Sequence, residues 1–137
     1  MKKNLRELPL VYSCSGCSNI AQLANDVAVK MDRDGIAEMS CIAGVGGNVK
    51  SLVKKSQADR YIIAIDGCVL QCAKNCLNNV GVEPTVHYVL TDYGLKKEYH
   101  KDYDNGVVNE FFELISSENC NCELHSNEDY DIGSKRK

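Results

Sequence analysis

The chain has no tryptophan, only two phenylalanines and no surplus of positive charge. Its 16 Lys and Arg residues face 19 Asp and Glu, a net charge of −3. General electrostatic binding to nucleic acid or to an anionic membrane calls for a basic surface, so this balance argues against both partners. No apolar run approaches the ~20 residues of a bilayer span. Residues 1–9 are basic but lead into few apolar positions, short of the ~7–15 of a secretory signal, and no small-residue cleavage site follows. The expectation is a cytoplasmic protein. An internal repeat and a second-domain boundary are also missing. A chain of 137 residues, 44% hydrophobic and 26% charged, has the profile of one soluble globular domain.

Against these absences stand eight cysteines. Without export the thiols are expected to be reduced, and metal binding or redox chemistry becomes the leading reading. The ordinary alternative is that free cysteines serve as small buried hydrophobes. Their positions along the chain decide between the two.

Residues 8–13 form a short apolar run ending at Cys14-Ser15-Gly16-Cys17, read as a first strand. Ser18 or Asn19 can cap a following helix, in which Ile20, Leu23, Ala24, Val27, Ala28 and Met31 make one apolar stripe. Asp34-Gly35 ends it. Residues 36–42 read as a second strand reaching Cys41, followed by a glycine-rich loop over 43–47 and a second helix capped by Asn48. Residues 61–65 are apolar throughout, as in a strand covered on both faces. They end at Asp66-Gly67-Cys68, after which Cys68, Cys72 and Cys76 recur at helical spacing. Residues 85–90 make a fourth strand ending at Thr91-Asp92. A charged loop that partly covers the sheet end follows, and Val107, Val108, Phe111, Phe112, Leu114 and Ile115 form a last amphipathic helix. Residues 1–118 are expected to be the folded domain. Residues 119–137, with Cys120, Cys122 and His125, are expected to be a polar mobile tail.

The alternation of strands and helices predicts an α/β fold. It is an open parallel four-stranded sheet with helices on both faces, flavodoxin-like or Rossmann-like. Right-handed crossovers favour spatial order 2-1-3-4, which opens a crevice at the carboxyl ends of the strands. Cys14, Cys17, Cys41, Cys68, Cys72 and Cys76 all fall at or just beyond the carboxyl ends of three different strands. Cysteines kept only for packing would be scattered. Soft thiolates suit zinc, Cu(I) or an iron–sulfur cluster. Cys14-x-x-Cys17 also has the spacing of a dithiol redox motif. A cysteine at a strand-to-helix turn is placed for a lowered pKa, so a thiol–disulfide or sulfur-transfer enzyme using Cys14 and Cys17 is the alternative. Phosphatase chemistry of the Cys-x5-Arg kind is disfavoured, because the sixth residue after Cys14 is Ile20 and after Cys17 is Leu23. The glycines at 44, 46 and 47 lack the Lys-Ser/Thr of a P-loop. Asp66 is placed to order the turn or a ligand-bearing loop. His87 reads as an ordinary strand residue.

The blocks Cys14-Ser15-Gly16, then Cys41-Ile42-Ala43-Gly44-Val45-Gly46, then Ile65-Asp66-Gly67-Cys68 with Cys72-Ala73-Lys74, and finally Leu90-Thr91-Asp92 resemble the DGC-domain proteins. These are small bacterial and archaeal proteins to which zinc binding is ascribed and whose biological role is unknown. The resemblance implies a zinc site with Cys14, Cys41, Cys68 and Cys72 as the chelating cysteines. Cys17 and Cys76 are additions in this chain.

Overall fold

The computed structural model describes residues 8–119. The residues beyond, including Cys120, Cys122 and His125 of the expected tail, lie outside them. Among the described residues, four strands and five helices follow one another: β1 (Leu10–Ser13), α1 (Asn19–Arg33), β2 (Glu38–Met39), α2 (Ile42–Gly46), α3 (Lys50–Ser56), β3 (Ile62–Asp66), α4 (Cys72–Asn79), β4 (Val86–Val89) and α5 (Val107–Asn119). A 3-10 turn, Leu90–Tyr93, closes β4. The sheet is all parallel in the order β2-β1-β3-β4, as the sequence predicts.

Alternate residues of the strands face opposite sides, and each side is apolar. Val11, Ile63 and Ile65 pack with Leu23, Ala24, Val27 and Met31 of α1 and Phe111 and Ile115 of α5. Leu10, Tyr12, Ile62 and Ala64 meet Val45 of α2 and Leu77 of α4. This two-sided cover is why the central strands carry unbroken apolar runs. Ser18 starts α1 by accepting the Ala21 N–H at 3.1 Å, a short side chain doing what the missing turn cannot.

The structure departs from the sequence expectation after β2, which keeps only two residues of the seven expected. Cys41 takes the N-cap position and Ile42–Gly46 coils into α2, where a loop was expected. Gly44 lets Leu52 pack closely against α2: a Cβ there would lie 2.0 Å from Leu52 Cδ1 and 3.1 Å from its Cβ. The second expected helix begins at Lys50 with Val49, not Asn48, at its cap. The last helix takes in Asn119, placed in the tail by the sequence reading. The Asn119 side chain is buried, accepting from Tyr61 at 2.8 Å and donating to Tyr88 at 2.9 Å.

Glu38 on β2 receives Lys55 at 2.5 Å and Arg60 at 2.9 Å. Partial burial pushes its pKa up, but the hydrogen bonds and charges of Lys55 and Arg60 outweigh this and hold it below the usual 4.5. A carboxylate lowered in the folded state stabilises above its unfolded pKa, and the contribution is lost as pH falls through the folded value. Melting curves from pH 7 to pH 3 are therefore expected to show an acid decline in Tm that is shallower in Glu38→Gln, whose Tm at pH 7 is lower. Parallel declines would exclude Glu38 as a contributor.

Candidate functional site

Three chain segments leave the carboxyl ends of β1, β2 and β3, and each carries cysteines. Cys14 follows β1 directly and is half-buried, while Cys17 lies exposed ahead of α1. Cys41 is exposed at the head of α2. Cys68 is half-buried two residues beyond β3, and exposed Cys72 is the first residue of α4. Cys76 stands one turn further on. All six are free thiols.

The segment Asp66-Gly67-Cys68 ties these parts together. Asp66 ends β3 with no exposed surface. Its carboxylate accepts the Ala73 N–H at 2.7 Å and the Lys74 N–H at 3.2 Å, two donors of the first turn of α4 that have no partner within the helix. Oδ2 also lies 2.8 Å from His87 Nε2 on β4. Gly67 donates its N–H to Cys14 Sγ at 3.2 Å and accepts the Thr91 N–H at 3.1 Å. Its Cα is pressed so close to the first turn of α1 that an added Cβ would fall 2.9 Å from both the carbonyl carbon and oxygen of Ile20. Cys68 receives the Lys97 ammonium at 3.5 Å, and the same ammonium stands 5.2 Å above the Tyr99 ring.

Lys97 belongs to the charged loop after β4. That loop is fastened to the start of α1 through Asn19, whose side chain donates to the Lys96 carbonyl at 3.1 Å and accepts the Glu98 N–H at 2.7 Å. The loop thus reaches the cysteine-bearing sheet end.

Burial pushes the Cys14 thiol up to about 11. The Gly67 N–H pulls it partly back, and the charges of nearby Asp66, Cys72 and Cys68 push it further up. The expected lowering at this strand-to-helix turn is not met, because desolvation outweighs the single N–H. Cys76 is likewise raised by burial first, then by Cys72 and Asp66. Asp66, Cys72 and Cys68 are thus within electrostatic reach of Cys14. Cys76 instead packs toward α2, where a Cβ on Gly46 would meet its Sγ at 3.0 Å. The three helically spaced cysteines do not share one helix face, since α4 begins only at Cys72. Among the described residues no three or more Cys, His, Asp or Glu side chains gather as a preformed metal shell.

Sequence reasoning placed Asp66 at this site and missed its partner His87, because the β3–β4 register that sets Ala64 opposite His87 carries no local signal. Lys97 was missed for the same reason: only the folded loop brings it to Cys68.

The DGC domain family model matches residues 10–115, a span holding all six described cysteines. The anaerobic and virulence modulator AnvM of Pseudomonas aeruginosa is 59% identical over 95 residues, which are 69% of this chain and 72% of that protein. No solved structure matches. No helix among the described residues is long and apolar enough to cross a membrane.

Proposed function

The chain belongs to the DGC domain family, and on that premise we propose that it binds a thiophilic metal ion, zinc first, through Cys14, Cys41, Cys68 and Cys72. The observation that carries the reading is the Gly67 contact. One backbone N–H of Gly67, next to Cys68, points at the β1 thiol and ties Cys14 to the segment that carries Cys68, with Cys68, Cys72 and the buried Asp66 within electrostatic reach of Cys14. Such a set is poorly stabilised when ionised alone and gains from a cation. The donor chemistry fits: free thiols of three segments suit a soft or borderline ion. Bound zinc would supply charge to hold the thiolates ionised and link the three segments. Asp66 orients the turn that carries Cys68 and Cys72, and His87 fixes Asp66. Cys76 acts as a packing residue against Gly46. Cys17, exposed, is outside the set. AnvM is named a modulator, and the corresponding role here is a regulatory protein whose state follows metal occupancy.

Elemental analysis of protein purified without added zinc, with thiol counting before and after chelation, tests this. About one zinc per chain and about four thiols released by chelator are expected. Cys14→Ser is expected to abolish stoichiometric zinc, and Cys17→Ser and Cys76→Ser to retain it. Folded protein with no metal and every thiol reactive before chelation overturns the reading. Iron with acid-labile sulfide, or copper, would move the assignment to an iron–sulfur cluster or Cu(I). Thiol–disulfide or sulfur-transfer chemistry at Cys14 and Cys17 has less support. A thiol raised to about 11 is almost wholly protonated at neutral pH, and the Lys97 ammonium stands beside Cys68 instead.

A further inference from the structure

On the other side of β1 from the Asp66 segment, a groove of about 330 Å3 runs between α1 and the β2 edge of the sheet. Its size falls within the range of small-molecule sites. Met39 and Ile42 give it apolar walls, and Cys41 lies along it. Ser13 lines it from the end of β1, on the side of the sheet that Val11 shares with α1. Ser13 is only 2% exposed, and its hydroxyl has no hydrogen-bond partner among the described residues. A buried hydroxyl left unpaired calls for an explanation. Asn25 of α1 adds a half-buried amide that makes no hydrogen bond to the described residues. Arg33 supplies a largely exposed guanidinium. Asp32, also in the groove, is already engaged by Arg33 at 2.6 Å and by the Met39 N–H at 2.9 Å. Its charge is therefore compensated, and the Ser13 hydroxyl and the Asn25 amide each keep a donor for a ligand.

We propose that this groove binds a small molecule with a short aliphatic body and a carbonyl-type head, either a carboxylate or a primary amide. The body lies against Met39 and Ile42, and the head accepts from Ser13 and Asn25. A carboxylate gains in addition from Arg33. Ser13 and Asn25, which hold the head, are not metal ligands, but Cys41 borders both sites, so the test is run on the zinc-loaded and the chelator-treated chain.

The test is a nitrogen-15 NMR titration of the full chain with butyrate and, separately, with butyramide. Binding is expected in the millimolar range for so few atoms, with shifts concentrated at the Asn25 side-chain amide and the backbone amides of Ser13 and Ile42. Response to butyrate alone identifies the head as a carboxylate that uses Arg33; response to both identifies the carbonyl itself. The double variant Ser13→Ala/Asn25→Leu is expected to bind about tenfold more weakly, the loss of two hydrogen bonds. Ser13→Ala alone removes an unpartnered hydroxyl and is expected to fold with undiminished stability, and a dispersed amide spectrum of the double variant before titration shows that its lost binding is not unfolding. No shift at these residues with either probe, or equal shifts in the double variant, overturns the proposal.

Discussion

Asp66→Ala is expected to lower stability by about 3–4 kcal/mol, the range for breaking a buried charged hydrogen-bond network. The carboxylate has no exposed surface and three partners: the Ala73 and Lys74 N–H groups and the His87 ring. Alanine would leave all three short of a partner beneath α4. Loss of a helix cap alone costs only about 1 kcal/mol; the rest comes from stranding buried donors. Urea unfolding is expected to show a midpoint lower by about 2 M, given a slope of about 1–2 kcal/mol/M for a domain of this size. Asp66→Asn preserves the shape and one carbonyl acceptor and is expected to fall between. An alanine variant with an unchanged midpoint would remove Asp66 from the list of groups that hold the sheet to α4.

Gly67→Ala is expected to cost about 3 kcal/mol, at the upper end of ordinary overpacking. The new methyl would lie 2.9 Å from the Ile20 carbonyl carbon and oxygen and 3.1 Å from the Ala21 nitrogen. These are backbone atoms of a helix pinned at both its cap and its apolar face, so they cannot step aside as a flexible side chain would. Gly81→Ala is the control. That residue has φ +80 and open space around it, so only the left-handed backbone is penalised, at about 1 kcal/mol. Denaturation of the two variants side by side checks the difference. Equal losses would mean that the closeness of β3 to α1 is not what demands glycine at position 67.

Together these two substitutions explain in physical terms why Asp, Gly and Cys occur consecutively. The first residue caps α4, the second lets β3 run against α1 and donates to Cys14, and the third turns a thiol toward Lys97.

Strand order was legible in the sequence because apolar runs alternate with helical stripes and crossovers have one hand. The six cysteines could be assigned to the sheet end on the same grounds. Local conformation after β2 was not legible: glycines at 44 and 46 look like loop punctuation, yet they are there for Leu52 and Cys76 to approach a helix. The partners of Asp66 and Cys68 were hidden because His87 and Lys97 lie 21 and 29 residues away and arrive through register and loop closure. Which side of neutrality Cys14 favours depends on burial against a lone N–H donor, a balance that spacing along a chain does not encode.

The brevity of β2 has a consequence for how molecules of this protein meet. An open sheet has two rims of unpaired backbone groups, and a rim recruits strands from other chains in proportion to its length and flatness. Here one rim offers only two residues, one of them Glu38 with its carboxylate clasped by Lys55 and Arg60. Immediately beyond, the chain coils away into α2. A visiting strand would find too few groups to pair with and a charge cluster to desolvate. On that side the sheet is finished by its own chain, and among the described residues growth into intermolecular β-structure is left to the β4 rim.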